Sequence, residues 1–350
     1  MQSNLGATVH QMKIVFNGCT NVSDGYGEIM HQLARAVAVE HEVAIIPNMT
    51  WHSMQFMKPD ITAMMNRKIK DADFELFIFY PNESHTSRFR CGILSMWEGS
   101  DLPTPWIKSF NRFSNIFVPS KFVGEVLKNS GVTGNIYLLP LGIDTNLYKT
   151  KERTMPKRPF RFLSVGKMEP RKNADVLVRA FQNEFVKDDV ELWIKTREKF
   201  VPSPVLQAAK NDRRIKLIEK TMTEEDLVKL YYECDCFVYP SRGEGFSFPP
   251  RNAIATGMPT IVTGWSALNE IEGAVKVPPS GFSPMHPCGF SFGEEQGILM
   301  ADVNSNTLGI VMRDVYDRYD GYVSWTLKNR QIPLWSDSAE AFISAVRSML

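Results

Sequence analysis

The chain has 350 residues, 43% of them hydrophobic and 23% charged, with a formal net charge of +1. This length predicts two domains of roughly 150 residues, each able to bury its own core. The charge balance offers no whole-protein field toward nucleic acid, a membrane surface or an acidic polymer, and no run of about 18 apolar residues predicts a membrane-spanning helix.

Strand-like and helix-like segments alternate along most of the chain. Residues 1–11 lack the apolar stretch of a secretory signal and are expected to be a loose end before the first strand at 12–17. A helix is predicted over 24–41, where Ile29, Leu33, Ala36 and Val37 recur at helical spacing. Strands are predicted at 41–47, 74–81, 91–97, 115–120 and 135–140, with a helix at 123–131 between the last two. The charged, proline-bearing segment 144–159 has no apolar period and reads as an interdomain linker. A second series opens with a strand at 161–166, a helix at 173–185, and strands at 189–195 and 214–220. The next helix, 223–233, starts with Thr223 and, three residues on, Asp226, a capping-box pattern. Strands at 235–241 and 259–264 flank another helix. The Pro- and Gly-rich stretch 277–297 predicts a long surface loop, and helices at 306–319 and 338–350 end the chain.

Such alternation implies parallel sheets covered by helices on both faces. The expected fold class is α/β, with two Rossmann-like, doubly wound parallel-sheet domains in series. Ligands in such sheets sit beyond the carboxyl ends of the strands and favour domain interfaces. The loops after the strands are therefore where chemistry is sought.

Five cysteines, Cys19, Cys91, Cys234, Cys236 and Cys288, are odd in number and form no C-x-x-C pair. That argues against a disulfide framework or a structural zinc site. Cys234 and Cys236 are expected to share one strand face as small buried hydrophobes, and a reducing, cytoplasmic compartment is expected. The histidines (His10, His31, His41, His52, His85, His286) show no ligand spacing, so no metal site is expected.

The strongest chemical signal is SRGEGFSFPPRNAIATGMPTIVT at 241–263. A strand ends at Tyr239–Pro240, a loop holds Glu244 between Gly243 and Gly245, and a helix starts near Phe248–Pro250. Its first N–H groups lack intrahelical partners and are expected to face the cleft as a diphosphate site. Gly257, before Met258–Pro259, stops the helix. In SVGKMEPRKNADVLVRAF at 164–181, Gly166 ends a strand and Lys167, Arg171 and Lys172 follow. Cations there can neutralise a diphosphate leaving group; alone, they would read as a solvated basic turn. Gly25 and Gly27 open the first helix without the G-x-G-x-x-G of a dinucleotide site. Trp97 and Glu98 end a strand, where Glu98 either contacts an acceptor, takes its proton, or serves structurally. Ser120 is expected to cap the helix that follows.

Together these stretches resemble the retaining glycosyltransferases of the GT-B fold, specifically glycosyltransferase family 4 (glycosyl transferases group 1). The resemblance runs from residue 12 to roughly 320 and is densest at 161–263. In that family a Glu, seven residues and a second Glu frame the donor. Glu244 matches the first, which touches the transferred sugar, and Asn252 stands where the second binds the ribose. Asn bonds a ribose hydroxyl without charge assistance, so that contact is expected to be weaker. The resemblance maps phosphate contacts onto Lys167 and Lys172. It sets Gly25 and Gly27 against the donor phosphates and the acceptor. It also places Gly166, Arg171, Gly245, Phe246, Ser247 and Phe248 around the donor. Pro140, Leu141, Gly142, Ile143 and Asp144 stand where the family has Pro, His, Gly, a hydrophobe and Asp as the chain leaves its first domain.

The resemblance implies an acceptor domain at 1–150, a donor domain at 151–335 and a last helix at 336–350 packing back on the first domain. It implies transfer of a sugar from a nucleotide-diphosphate sugar, the co-substrate, with retention of configuration and with Glu244 and Glu98 as the catalytic pair. Neither metal nor other cofactor is expected. The acceptor stays open among a saccharide, a lipid-linked sugar, a protein, a metabolite and a nucleic acid. Two other functions fit the same residues: a nucleotide-sugar-binding protein that has lost catalysis, consistent with Asn252, and a Rossmann-type oxidoreductase or epimerase.

Overall fold

A computed structural model describes residues 10–21, 25–49, 57–197, 203–285 and 297–350. Cys288, His52, His286 and most of the expected loose N-terminal end lie outside them.

The first half of the chain runs β1 (Lys13–Cys19), α1 (Gly25–Val37), β2 (Glu42–Met49), α2 (Pro59–Asn66) and β3 (Phe74–Ile78). It continues with β4 (Cys91–Leu94), α3 (Thr104–Phe110), β5 (Asn115–Val118), α4 (Lys121–Asn129) and β6 (Asn135–Leu138). Its six strands are all parallel, in the order β2-β1-β3-β4-β5-β6. The strand β3 is buried along its whole length, as a central parallel strand covered on both faces must be.

The second half runs β7 (Phe160–Val165), α5 (Ala174–Glu184), β8 (Val190–Thr196), α6 (Ser203–Asn211), β9 (Ile215–Glu219) and α7 (Glu224–Glu233). It continues with β10 (Cys236–Tyr239), α8 (Phe248–Ala255), β11 (Thr260–Thr263) and β12 (Ala274–Val277). These strands form a second parallel sheet, ordered β12-β11-β10-β7-β8-β9. Then come β13 (Gly281–Pro284), β14 (Leu299–Asp302), α9 (Ser305–Asp317), α10 (Tyr319–Asn329) and α11 (Trp335–Met349).

Chain order reverses between β1 and β3 in one sheet and between β7 and β10 in the other. In doubly wound sheets these reversals open the crevices in which ligands bind. The loops after β7 and β10 are the two basic and acidic stretches singled out from the sequence.

The last helix returns to the first domain. Phe342 on α11 places its ring 5.7, 6.0 and 5.4 Å from those of Phe16, Phe74 and Phe117, and Ile343 and Val346 join the same core as Leu33 of α1. Burial of one such side chain stabilises by roughly 1.5–3 kcal/mol.

Three expectations need correction. Within the expected loop 277–297, Gly281–Pro284 forms the strand β13, which pairs antiparallel with β14 just beyond the loop. Cys234 caps the carboxyl end of α7 and only Cys236 lies in β10; both are buried, but not on one strand face. Thr223 accepts the Asp226 N–H at 3.1 Å as an ordinary N-cap, with Asp226 itself turned to Lys229 at 2.7 Å.

Candidate active site

A cleft of about 670 Å³ lies between the two sheets' carboxyl ends. Twelve of the thirteen candidate site residues line it: Gly25, Glu98, Gly166, Lys167, Arg171, Lys172, and Glu244, Gly245, Phe246, Ser247, Phe248 and Asn252. Gly27 does not; it is buried in α1, where an added Cβ would overlap the Asn21 carbonyl.

The floor is a cluster of charges. A short 3-10 turn, Pro170–Lys172, leads into α5 through Asn173, whose backbone is left-handed (φ 54°). Asn173 Nδ2 donates to the Pro240 carbonyl at 3.0 Å, tying the turn to the end of β10. This brings Arg171 and Lys172 against Glu244. Lys172 Nζ lies 2.5 Å and Arg171 Nη1 2.9 Å from Glu244 Oε1. Ser241 Oγ donates to the same oxygen at 2.6 Å, and Ser266 Oγ accepts the Glu244 N–H at 3.0 Å. Glu244 is only 6% exposed. Burial alone would raise its carboxyl, but Arg171 and Lys172 outweigh burial and hold it at about 2.

Glu98 reaches the cluster from the first domain, 3.5 Å from Arg171 Nη2. Burial pushes its carboxyl up, and Glu244 and Glu169 push the same way against Arg171 and Lys172. Burial lowers Lys172, as does Arg171, with Glu244 opposing. Lys167 lies at the edge, 3.9 Å from Glu169.

The loop after β10 approaches the first domain closely. A Cβ on Gly243 would overlap the Glu98 carbonyl, and one on Gly245 would come within 2.8 Å of Met96 Cβ. Glycine is what allows this approach. Ser120, the N-cap of α4, accepts the Val123 N–H at 3.3 Å and donates to the Gly245 carbonyl at 2.8 Å. The second domain also supplies Glu270, which accepts the α4 N–H groups of Phe122 at 2.7 Å and Lys121 at 3.1 Å. Lys58 and Glu224 bridge the domains at 2.9 Å.

The start of α8 differs from the sequence expectation. Ser247, at its N-cap, has φ 71° and makes no capping bond. Its Oγ is buried without a hydrogen-bond partner among the described residues. Pro249 and Pro250 have no N–H, so the first turn keeps those of Phe248 and Arg251. The start of α8 therefore offers the cleft fewer backbone N–H groups than expected from the sequence.

Sequence reasoning missed several cleft residues: Tyr239, which accepts from Lys172 at 2.8 Å, and the wall formed by Glu28, His31, Gln32 and Glu224. The helical spacing of Glu28, His31 and Gln32 was visible, but only the fold shows which face of α1 meets a second domain. A D-x-D spacing that sequence reasoning overlooked, Asp71 and Asp73, lies at the amino end of β3 and outside the cleft lining, with Asp73 accepting the Lys13 N–H at 2.7 Å.

Residues 159–281 match the family described as glycosyl transferases group 1. Similar proteins include the MMP alpha-(1->4)-mannosyltransferase of Mycolicibacterium hassiacum, 29% identical over 158 residues, 45% of this chain and 38% of that protein. The O-antigen chain mannosyltransferase B of Escherichia coli is 31% identical over 126 residues, 32% of this chain and 30% of that protein. The chain thus aligns with well under half the length of these relatives. Among solved structures, the sucrose-phosphate synthase of Thermosynechococcus elongatus superposes with a TM-score of 0.68 at 13% identity, covering 97% of this chain and 99% of that one. Anabaena HepE in complex with UDP and glucose gives 0.65 at 13% identity, covering 97% and 100%. The fold is GT-B.

Proposed function

We propose that this protein is a retaining, metal-independent glycosyltransferase that moves a hexose from a nucleotide-diphosphate sugar held mainly by the second domain. The observation that carries the reading is the cluster of Glu244, Arg171 and Lys172 on the floor of the interdomain cleft, at the switch point of the second sheet. The group 1 match over that domain and the mannosyltransferase relatives support it, with mannose as the first sugar to test.

The acceptor hydroxyl oxygen bonds to the anomeric carbon as the bond from that carbon to the diphosphate oxygen breaks. The electron pair leaves with the diphosphate, and the hydroxyl proton passes to a phosphate oxygen on the same face. Glu244 orients the sugar. Arg171 and Lys172 shift from Glu244 toward the charge that grows on the leaving group. Burial raises the carboxyl of Glu98, which stands 3.5 Å from Arg171 at the first-domain edge of the same cluster. Domain closure keeps water, the competing acceptor, out.

Asn252 favours a second reading, a sugar-nucleotide-binding protein without turnover. Nucleotide release from GDP-mannose, UDP-glucose and ADP-glucose decides between them. Release that Glu244→Gln slows supports the transferase. Binding without release, with every acceptor tried, leaves the binding protein.

A further inference from the structure

Beyond the second sheet, β13 and β14 form a two-stranded antiparallel ribbon that is a sheet of its own. Side chains alternate between the faces of such a ribbon. Ser283 and Met285 of one strand therefore share a face with Ile298, Met300 and Asp302 of the other. Phe282 and Leu299, on the opposite face, are 50% and 37% exposed. The covered face touches both domains. At one end Met285, Ile298 and Met300 are buried in a first-domain core with Trp97, Leu102 and Trp106. The approach is close: a Cβ on Gly99 would come within 2.4 Å of Ile298 Cγ2. Beside it the Ser100 N–H donates to the Leu299 carbonyl at 3.0 Å, and the Leu299 N–H donates to Ser100 Oγ at 2.9 Å.

At the other end Ser283 and Asp302 meet Arg242, in the loop after β10. Arg242 Nη2 lies 2.5 Å from Ser283 Oγ and 3.0 Å from Asp302 Oδ1, and its Nε donates to the Ala301 carbonyl at 3.1 Å. The Ala301 N–H returns a bond to the Arg242 carbonyl at 3.0 Å. Arg242 is buried and does not line the cleft, but it stands directly behind the charged floor. Its N–H donates to the Arg171 carbonyl at 2.8 Å. Its neighbours in the loop bond the cluster itself: Ser241 Oγ donates to Glu244 Oε1 at 2.6 Å, and Arg171 Nη1 donates to the Gly243 carbonyl at 2.7 Å. A buried guanidinium fixes its partners in place because a donor left unpaired there is costly.

We propose that Arg242 is a positioning residue through which the β13–β14 ribbon sets the Arg171–Glu244 geometry from the first domain. The charged floor then takes its working arrangement only while the apolar end of the ribbon is seated against Trp97 and Trp106. The effect on turnover rests on the transferase reading above; the mechanical link between ribbon and floor does not.

Arg242→Met keeps the buried length and removes the charge and the donors, while Asp302, with its side chain 38% exposed, keeps the Ser283 hydroxyl and solvent. Nucleotide release from the donors named above is measured at steady state. Arg242→Met should lower kcat by ~10–100-fold with donor KM changed by less than ~3-fold, the split expected of a misplaced cluster rather than a lost donor contact. Arg242→Lys, which restores the charge, should recover part of kcat. Ile298→Ala lies in the first-domain core, away from the charged floor. It should give the same split at smaller size, and should speed amide hydrogen exchange at Arg242 and Glu244 more than in β1. If Arg242→Met does not fold, Arg242→Lys and Ile298→Ala carry the comparison. Native kcat and native exchange at Arg242 and Glu244 in Ile298→Ala would overturn the positioning role, as would kcat and donor KM worsening together in Arg242→Met. If the native protein turns over no donor, the transferase reading falls alone. Exchange in Ile298→Ala then decides the link: acceleration at Arg242 and Glu244 supports it, and no change there overturns it.

Discussion

Glu244 keeps its charge in a place where a lone carboxylate could not. Its ion partners and the Ser241 hydroxyl replace the water it loses, and a buried pair of this kind is costly to break because the remaining charges are stranded. Glu244→Gln keeps the shape and the Ser241 bond, and Arg171 retains Glu98 and Glu169 within 3.5 Å. The variant is therefore expected to fold, and its kcat to fall by roughly 10²–10³ as the oriented carboxylate is lost. Unchanged kcat in steady-state assays would remove Glu244 from the mechanism. At Gly245 the issue is space. Gly245→Ala must push the loop from Met96 and Trp97, so donor KM and kcat should both worsen while either domain's own core is untouched. Equal kinetics in the alanine variant would show that the approach is not needed.

Elements meet across the cleft as well. Glu28 of α1 and Glu224 of α7 are two carboxyls facing one another. Burial first, then Glu224, raise Glu28 to about 7, against Gln32 and Lys58. Unfolded, this carboxyl titrates near 4.5. Between those pH values the folded chain holds a proton that the unfolded chain has lost, so stability falls as pH rises through this window. Glu28→Gln escapes the penalty. Its Tm should exceed that of the native protein at pH 8 by more than it does at pH 5, and an equal difference at both pH values would contradict the assignment. Helix α11 makes a second cross-domain link. Phe342→Ala should destabilise by about 3–5 kcal/mol, and the loss should appear in the unfolding of the first domain, read by hydrogen exchange in β1 and β3. Loss confined to the second domain would refute the packing.

What was legible at the element scale follows from length and pattern. The strands β1, β3, β7 and β10 are apolar runs, and α1, α5, α7 and α11 carry long amphipathic faces, so period alone located them. The helix α8 was found through its punctuation, Pro249–Pro250 at one end and Gly257 (φ 78°) at the other. By contrast α2 and α3 are 8 and 7 residues long, too short for a period to emerge. The hairpin of β13 and β14 has only alternate partial burial on β13, with Gly281 and Pro284 at its ends, so its composition looked like loop. The acidic–basic cluster was readable as two motifs but not as one ion network, because 72 residues separate Lys172 from Glu244. Nor could the polar residues of α1 be placed on the cleft wall before a second domain was seen across from them.

At the scale of the whole molecule, the two sheets aim their switch points at one cleft. Short polar links hold the domains across it, among them Ser120 to Gly245, Glu270 to the start of α4, and Lys58 to Glu224. The central claim is that this cleft holds a nucleotide-diphosphate sugar through Arg171, Lys172 and Lys167. A thermal-shift panel of UDP, GDP, ADP and CMP with their common sugars, run beside Lys172→Ala, tests it most directly. At about a hundred times its dissociation constant a ligand stabilises by roughly 2.7 kcal/mol, a rise of several degrees for domains of this size. The account predicts that rise for one nucleotide class with the native protein and its loss in Lys172→Ala; no rise with any nucleotide, or an equal rise in the variant, would contradict it.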